Sequence, residues 1–306
     1  MALIQPDAAM QVMIRKELNE DVNTRDSDLK HMKEWLAKQP HLPHTWDEHR
    51  ILTFLRGCKF SLEKCKKKLD MYFTMRTACP ELFTNRDIRK PELQEIVKYV
   101  NIPPLPGLTP NGRRVIVMRG LDKSITAPSI FDAMKIVLMI GDIRLDAEET
   151  GVAGDVYIMD ASIVTPAHFS KVTPSIVKKF LVIVQEAYPV KLKEVHVVNI
   201  SPIIDTIINW VKPFLTEKIR NRIHVHNDYE SLHKMIPKDI LPAEYGGTAG
   251  KCQDFHDAWM KKLEEYQPWF LAQESVKADE SKRPGKPTNY DDLFGLDGSF
   301  RQLAID

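Results

Sequence analysis

Six cations flank a strongly apolar stretch of this chain. Lys191 and Lys193 precede residues 194–200, a β-branched run that predicts a buried strand, and four more follow it, Lys212, Lys218, Arg220 and Arg222. After residue 202, apolar residues at positions 203, 204, 207, 208, 211, 214 and 215 have the spacing of one helical face. Cations beside an apolar helix are suited to binding an anionic membrane. A core helix with a solvated charged end gives the same pattern, and periodicity alone favours that second interpretation.

The sequence lacks the catalytic and phosphate-binding motifs for which it was compared. There is no Gly-x-Ser-x-Gly nucleophile elbow and no His-Glu-x-x-His zinc helix. Residues 246–251 (GGTAGK) are one residue short of a phosphate-binding loop and lack Ser or Thr after the lysine. His224 and His226 would face one side of a strand, but with no third ligand nearby the sequence does not favour a metal site. We therefore expect no catalytic residues, no metal and no cofactor, and a protein that is not an enzyme.

Composition limits the partners and the compartment. The 306 residues carry a net charge of +1, so no global field attracts nucleic acid. The four cysteines have no zinc spacing and are expected to be reduced thiols. The first residues lack a secretion signal, and no apolar run is long enough to span a membrane. We expect a cytoplasmic protein whose association with membranes is peripheral.

The predicted secondary structure that positions these residues changes along the chain, from helices to alternating strands and helices. Residues 7–80 read as helices, with Asp26 or Ser27, Asp47 and Ser61 as candidate N-caps. Beyond residue 112, strands at 114–119, 155–160, 194–200 and 224–225 alternate with helices at 130–145, 174–187 and 203–215. This alternation predicts an α/β fold, a mixed or parallel sheet flanked by helices. Pro103, Pro104 and Pro106 mark the connection between the two regions.

The sequence also carries a family pattern in two halves. The upstream half is residues 51–60 (ILTFLRGCKF), and the downstream half comprises residues 173–175 (TPS), Gln185, residues 188–189 (YP), His196, Asn199, residues 212–215 (KPFL), Lys218, residues 222–224 (RIH), residues 231–232 (SL) and residues 241–247 (LPAEYGG). These residues resemble the CRAL-TRIO lipid-binding family, which includes tocopherol, retinaldehyde and phosphatidylinositol carriers. The resemblance covers roughly residues 30–250.

The resemblance implies a domain plan. Residues 1–95 would form the family's helical N-terminal region, and residues 96–250 the lipid-binding domain with a mobile gate helix. Residues 251–306 would form a C-terminal helix, a flexible segment and a docking tail. The polar run 274–292 predicts the flexible part. The tail resembles that of insect members, and we expect Phe294, Phe300 and Leu303 to dock on the body.

The resemblance further implies which residues line a lipid cavity. The positions carried over are Met118, Met134, Val137, Leu138, Gly141, Met159, Val164, Phe180, Ile183, Val184, Tyr188, Val195, Ile204, Ile207 and Val211. The set is rich in methionine and aliphatic residues, so it suits one flexible hydrophobe or several related ones. Val137 and Gly141 stand where the tocopherol carrier has serines, and Val137 and Met159 where the retinaldehyde carrier has a Tyr and a Glu. Neither polar group is present, and the relatives do not assign the ligand.

A phosphoinositide site is the second implied feature. The family's basic patch corresponds to Lys191, Lys193, Lys218 and Arg222, and we expect the last two to share a helix face at i, i+4. Four convergent cations suit a multiply charged phosphate, although a merely solvated surface is an equal alternative. One further cation of the family's patch is replaced by Cys58, which Arg56 and Lys59 flank.

The apolar segment after residue 202 corresponds to the family's gate. Its candidate membrane contacts are Ile203, Ile207, Trp210, Phe214 and Leu215. The resemblance implies binding and transfer of a small hydrophobic lipid, such as a tocopherol, retinoid or carotenoid, with gate opening aided by anionic phosphoinositides such as phosphatidylinositol bisphosphate. The alternative is a lipid-sensing regulatory or interaction protein without bulk transfer activity.

Overall fold

The structure is a computed structural model that describes residues 3–122, 130–169, 173–200 and 203–294, apart from the side chains of residues 167, 169, 214, 291 and 292. It begins with helices: α1 (Ala8–Leu18), α2 (Arg25–Ala37), α3 (Glu48–Gly57), α4 (Leu62–Ala78), α5 (Pro80–Phe83) and α6 (Pro91–Val97). Asp47 caps α3 as predicted, since its carboxylate accepts a hydrogen bond from the Arg50 amide at 2.9 Å. Ser61 precedes α4 but makes no capping bond through its side chain. The predicted start of α2 was wrong: Thr24 is the N-cap, and Asp26 and Ser27 lie inside the first turn.

A mixed sheet follows the helices. Its strands are β1 (Val100–Asn101), β2 (Pro104–Leu108), β3 (Arg114–Gly120), β4 (Asp155–Asp160), β5 (Leu192–Val198) and β6 (Ile223–Val225). β3, β4, β5 and β6 run parallel in that order, and β1 and β2 pair antiparallel with β3. The sequence predicted the strands of the parallel part but took residues 103–106 for a connection. Pro104 and Pro106 are tolerated in β2 because it lies at the edge of the sheet and its register shifts before Leu108.

Further helices connect the parallel strands or follow the last of them. They are α7 (Ile130–Ala147), α8 (Pro166–Phe169), α9 (Pro174–Val182), α10 (Ile204–Val211), α11 (Glu217–Arg220), α12 (Tyr229–His233), α13 (Cys252–Glu265), α14 (Gln267–Gln273) and α15 (Tyr290–Phe294). The predicted helix 174–187 is confirmed with one change, because its last turn, Ile183–Ala187, is a π-helix. The predicted helix 203–215 is α10 followed by a 3₁₀ turn, Lys212–Phe214.

β5 lies two residues earlier than predicted at both ends. Asn199 has a positive φ of 52°, a left-handed conformation that takes the backbone out of the strand. Its side-chain amide donates to Asp160 Oδ1 at 3.1 Å, and its carbonyl oxygen accepts from the Tyr229 hydroxyl at 2.9 Å. These bonds to distant residues stabilise the turn, so a local reading of the apolar run 194–200 misses it.

Side chains alternate along each strand between the two faces of the sheet, and each face packs against a different layer of helices. Val115, Val117, Val156 and Ile158 pack on one face with residues of α12, α13 and the segment between them. Side chains one position on, such as Met118 and Met159, face α7, α9 and α10 instead. This second face carries the cavity described below.

A buried charge cluster joins the N-terminal helices to the sheet domain. Asp142 of α7 accepts hydrogen bonds from Arg76 (2.7 Å), Arg86, Tyr72 (2.8 Å) and Tyr188 (2.7 Å), and all of these side chains are buried. Burial alone would raise the pKa of Asp142, but the two guanidinium groups outweigh it and hold the pKa at about 2. The carboxylate is therefore ionised and bonded to four side chains from three separate parts of the chain.

The C-terminal segment is more firmly attached than predicted. Arg283 donates to both carboxylate oxygens of Asp70 on α4, at 2.8 and 3.0 Å, and the Ala278 amide bonds the Phe73 carbonyl at 3.1 Å. The polar composition of residues 274–292 predicted a flexible segment, but paired charges hold this part of it against α4. Phe294 is buried against the helical core, whereas Phe300 and Leu303 lie outside the described residues.

The predicted domain limits at residues 95 and 250 stay predictions. One core cluster unites Phe54 and Phe73 of the N-terminal helices with Met134 and Ile183 of the sheet domain. A second unites residues of α6 and α7 with Trp259 of α13.

We predict that Asp142→Asn lowers the free energy of unfolding by about 3–5 kcal/mol, because it leaves two buried guanidinium groups without a counter-charge. Urea unfolding followed by circular dichroism measures the change. Asp239→Asn, at an exposed carboxylate, is the matched control and should stay within about 0.5 kcal/mol of wild type. A loss below about 1 kcal/mol for Asp142→Asn would show that the cluster does not govern stability.

Candidate functional site: an apolar cavity and a basic surface

A cavity of about 530 Å³ lies between the sheet, α7, α9 and α10. That volume is in the range of small-molecule binding sites. Its described wall consists of Val100, Ile102, Met118, Arg119, Gly120, Ile130, Ala133, Met134, Val137, Met159, Asp160, Ala161, Val164, His168, Val177, Phe180, Val197, Ile204, Ile207, Ile208, Trp210 and Val211. The wall is aliphatic and aromatic apart from a few polar groups.

Most of the cavity residues predicted from the sequence lie on this wall. They are Met118, Met134, Val137, Met159, Val164, Phe180, Ile204, Ile207 and Val211. Leu138, Gly141, Val184 and Tyr188 line a smaller pocket of about 40 Å³ instead, which shares Met118 and Val137 with the cavity.

The structure does not bring Ile183 or Val195 to either wall. Ile183 is fully buried in the helical core, because the π-turn directs it toward α4, and Val195 packs under α10 beside Ile223. Gly141 allows a close approach, since a Cβ there would lie 3.3 Å from the Tyr188 ring.

Sequence reasoning missed several wall residues. Val197 pairs in register with Met159, so both side chains point to the same face, and Ile208 adjoins Ile207 on α10. The alternation of side chains along β5 could have identified Val197 as a residue of the cavity wall. Arg119, Asp160 and His168 were missed because polar residues on an apolar wall have no periodic signature.

α10 turns its apolar face inward. Ile207 and Trp210, predicted as membrane contacts, line the cavity, whereas Asp205, Thr206 and Asn209 are exposed on the outer face. Leu215 is buried and Ile203 half-buried, and the Phe214 side chain is not described. This is a closed arrangement, in which contact of these residues with a membrane stays a prediction.

Few buried contacts hold α10. Ile204, at its first turn, is the buried residue of this helix, and the later turns are half-exposed over the cavity. The opposite wall, α7, has Met134, Ile136, Leu138 and Met139 buried. The cavity therefore has one rigid wall and one weakly attached wall.

Two of the polar wall groups are charged side chains that pair with other charged or polar groups of the protein. Asp160 accepts hydrogen bonds from the Ser162 amide (3.0 Å), Asn199 (3.1 Å) and the Tyr245 hydroxyl (3.1 Å). Arg119 lies 3.6 Å from Asp160 and donates to Glu244 at 3.3 Å. Their charges are thus balanced within the wall.

His168 is the third polar wall group. Its Nδ1 lies 2.7 Å from the Thr165 hydroxyl, which also accepts a hydrogen bond from the His168 amide at 3.3 Å. Thr165 directly precedes the single turn of α8 and lies three positions before His168.

A basic surface lies at the opposite end of the parallel strands. Lys191 and Lys193 stand at the start of β5, whereas Met159 and Val197 of the cavity wall are near the strand ends. Lys193 forms an ion pair with Glu17 at 2.8 Å, and Lys59 lies 3.6 Å from the same carboxylate. Burial, and then the charges of Lys59 and Lys193, lower the pKa of Lys191 to about 8. Lys59 and Lys193 thus share one carboxylate, and the charge of Lys191 lies near both.

The predicted helix face of Lys218 and Arg222 was wrong. α11 ends at Arg220, so Arg222 lies beyond it, and its guanidinium donates to the Leu192 carbonyl at the start of β5. Arg222 therefore joins the two lysines through the sheet, while Lys218 is exposed on α11.

Lys59 supplies a cation beside the position where Cys58 replaces the family's arginine. Cys58 is buried, and a hydrogen bond with Cys65 lowers the pKa of its thiol, assisted by nearby lysines. Arg56, the other flanking cation, is buried in a pair with Glu20 at 3.0 Å and is not part of the surface.

Histidines cluster on the face of the sheet away from the cavity. His196 Nδ1 lies 2.8 Å from His226 Nε2, and the His196 ring stacks on His224 at 5.2 Å. Parallel pairing of β5 and β6 places His196 beside both His224 and His226, a proximity that the sequence alone did not indicate. Burial lowers the pKa of His196 to about 4. Within the described ranges, no group of His, Cys, Asp or Glu is arranged to hold a metal ion.

Comparisons with known proteins agree with this architecture. The family model for the CRAL/TRIO domain matches residues 101–247, and a model described as "Pinta-like, UBA domain" matches residues 21–93. "Alpha-tocopherol transfer protein-like" of Mus musculus is 35% identical over 240 residues, which are 78% of this chain and 69% of that protein. Clavesin-1 of Xenopus laevis is 30% identical over 240 residues, 76% of this chain and 71% of that protein. The chain belongs to the CRAL/TRIO family.

One solved structure, described as the crystal structure of Sfh5, aligns with a TM-score of 0.48 and 15% identity over 83% of this chain and 93% of that chain. That similarity is too weak to support an argument. In the part of the chain that the structure describes, no helix is long and apolar enough to cross a membrane.

We predict that binding to phosphatidylserine vesicles weakens between about pH 7 and 9, because Lys191 loses its proton as the pH rises through its lowered pKa. Lys191→Met should bind roughly fivefold more weakly at the lower pH and should lack this component of the pH dependence. Vesicle cosedimentation measures both. Lys218→Met is the control and should lose affinity while keeping the wild-type pH dependence. Identical pH profiles for wild type and Lys191→Met would show that Lys191 does not face the membrane.

Proposed function

We propose that this protein is a cytoplasmic carrier that binds one hydrophobic lipid in the apolar cavity and transfers it between membranes. The observation that carries the proposal is the cavity itself, an apolar volume of about 530 Å³ between a rigid sheet-and-helix wall and the weakly attached α10. The related protein named for alpha-tocopherol transfer makes tocopherol a first candidate, with retinoids and carotenoids as others.

The hydrophobic effect supplies the affinity. Removing roughly 400 Å² of ligand surface from water is worth about 10 kcal/mol before the costs of association. Met118, Met134 and Met159 adapt their shape to the ligand. The described wall does not require a charged ligand, since Arg119 is already paired with acidic side chains.

α10 is the proposed gate. When it opens, Ile207 and Trp210 leave the cavity and become available to the bilayer, where the amphipathic indole is stable at the interface. A bound lipid fills the space beneath α10 and gives Ile204, Ile207 and Ile208 a packing partner. Ligand binding and gate closure therefore stabilise each other.

The basic surface is proposed to couple the membrane to the gate. The chain leaves the cavity end of the sheet in α10 and returns to the basic surface, where Lys218 and Arg222 follow the gate directly. An anionic headgroup, such as that of phosphatidylinositol bisphosphate, held by these cations together with Lys191 and Lys193, would pull on the end of the gate at Lys212–Phe214. This is how anionic phosphoinositides would aid opening.

We predict that Ala133→Trp reduces lipid binding at least tenfold, because the indole projects from α7 into the cavity volume that the ligand needs. Transfer of a fluorescent tocopherol between liposomes and equilibrium binding of the same probe measure the effect. Ala9→Trp, on the exposed face of α1, is the matched control and should behave as wild type. Equal binding by both variants would overturn the cavity as the lipid site. Wild-type binding without transfer would favour the lipid-sensing alternative.

We also predict that lipid binding slows amide hydrogen exchange across residues 204–211, because the ligand packs under α10. Exchange in the middle of α7 should change little, since Asp142 and its partners already hold that helix. Hydrogen–deuterium exchange with mass spectrometry, with and without tocopherol, compares the two helices. Protection confined to α7 would contradict α10 as the moving wall.

A further inference from the structure

The four cysteines of this chain, all free thiols, stand in two different environments. Cys79, before α5, and Cys252, at the start of α13, are fully buried, and burial raises the pKa of each thiol to about 12. Cys58 and Cys65 instead form a pair whose thiols are hydrogen-bonded to each other. This pair is the place where oxidation could join two sulfurs of one chain.

A tight turn between α3 and α4 brings the two thiols together. Cys58 is the C-cap of α3, and the next two residues, Lys59 and Phe60, have left-handed φ angles of 54° and 56°. The Ser61 amide then bonds the Cys58 carbonyl at 3.1 Å, and the Cys65 amide bonds the Ser61 carbonyl at 2.9 Å. The backbone therefore reverses directly after α3 and places Cys65, in the first turns of α4, beside the end of α3.

Cations lie near the sulfur of Cys58. The Lys191 ammonium donates to the Arg56 carbonyl at 3.4 Å, two residues before Cys58, and Lys68 follows Cys65 by one turn of α4. The hydrogen bond from Cys65 is the main cause that lowers the pKa of the Cys58 thiol, and the charges of these two lysines lower it further. The same hydrogen bond, together with burial, raises the pKa of Cys65. Cys58 is therefore the sulfur that ionises, and Cys65 keeps its proton.

We propose that Cys58 and Cys65 form a reversible disulfide when the protein meets a hydroperoxide, and that Cys58 reacts first and Cys65 closes the bond. The Cys58 thiolate attacks one peroxide oxygen, so that an S–O bond forms, the O–O bond breaks and hydroxide leaves. The Cys65 sulfur then attacks the sulfur of the resulting sulfenic acid. An S–S bond forms, the S–O bond breaks, and the departing hydroxide takes the Cys65 proton and leaves as water. The two sulfurs lose two electrons in total, and the peroxide gains them.

Exposure and position agree with this order of reaction. Cys58 keeps 6% of its surface exposed, whereas Cys65 is fully buried, so a small oxidant reaches Cys58 first. A relative with the family's arginine at position 58 has no sulfur there and would not form the bond. The inference is independent of the proposed carrier function, because it uses the turn between α3 and α4 and not the cavity.

The test is differential alkylation of the full chain after brief treatment with hydrogen peroxide, followed by peptide mass spectrometry. In wild type, a peptide linked through Cys58 and Cys65 should form roughly tenfold faster than Cys79 or Cys252 is oxidised. The intact monomer should lose two hydrogen atoms, which dithiothreitol restores. Cys65→Ser should stop at the sulfenic acid of Cys58, which dimedone traps, and Cys58→Ser should leave Cys65 reduced.

A variant that carries both Cys79→Ser and Cys252→Ser is the matched control and should form the linked peptide at the wild-type rate. Similar oxidation rates for all four cysteines would overturn the proposal, as would a linkage found only in covalent dimers. Cys58 and Cys65 that stay reduced while the exposed Met13 is oxidised would overturn it as well. If a serine variant does not fold, the wild-type peptide map decides, because it ranks the four thiols within one molecule.

Discussion

A buried carboxylate determines where the rigid wall of this protein stands. Asp142 meets two guanidinium groups and two phenols contributed by α4, the segment before α6 and the residue after the π-turn. Removing any partner leaves a charge or a donor in the core without compensation, which costs several kcal/mol. α7 is thereby held in one position, and its neighbouring turns present Met134 and Val137 to the cavity.

The contrast between α7 and α10 would give the proposed carrier its mechanism. α7 is held by paired charges that a small displacement would break, whereas α10 is held mainly by Ile204 and by apolar contacts that vary smoothly with position. Its outer face is polar and already solvated at Asp205 and Asn209. In the proposed mechanism, opening the cavity would cost chiefly the exposure of apolar surface, and a bilayer would remove that cost because it supplies an apolar environment. Movement would then be restricted to the wall that a membrane can stabilise.

Periodicity in the sequence predicted the parallel strands and α7, because apolar alternation is a local property, whereas the cavity positions came from the family resemblance. The features that the sequence did not predict depend on contacts between residues far apart in the chain. The end of β5 depends on Asn199 reaching Asp160 and Tyr229, and the direction of Arg222 depends on the carbonyl of Leu192. The resemblance supplied positions but not directions, so Tyr188, carried over as cavity wall, proved to bond Asp142 with its hydroxyl. His168 has no periodic signal at all.

The positions of residues 137, 141 and 159 in the structure explain what the absence of the relatives' polar groups does to the cavity. Val137 and Met159 lie on the wall from α7 and β4, and Gly141 stands close to the Tyr188 ring, where a larger side chain would collide. Polar groups do remain on the described wall. Arg119 and Asp160 come from the ends of β3 and β4, and both bond other parts of the protein. Polarity on this wall is therefore contributed by the sheet rather than by α7, so this chain and relatives with polar groups on that helix would select different molecules with the same fold.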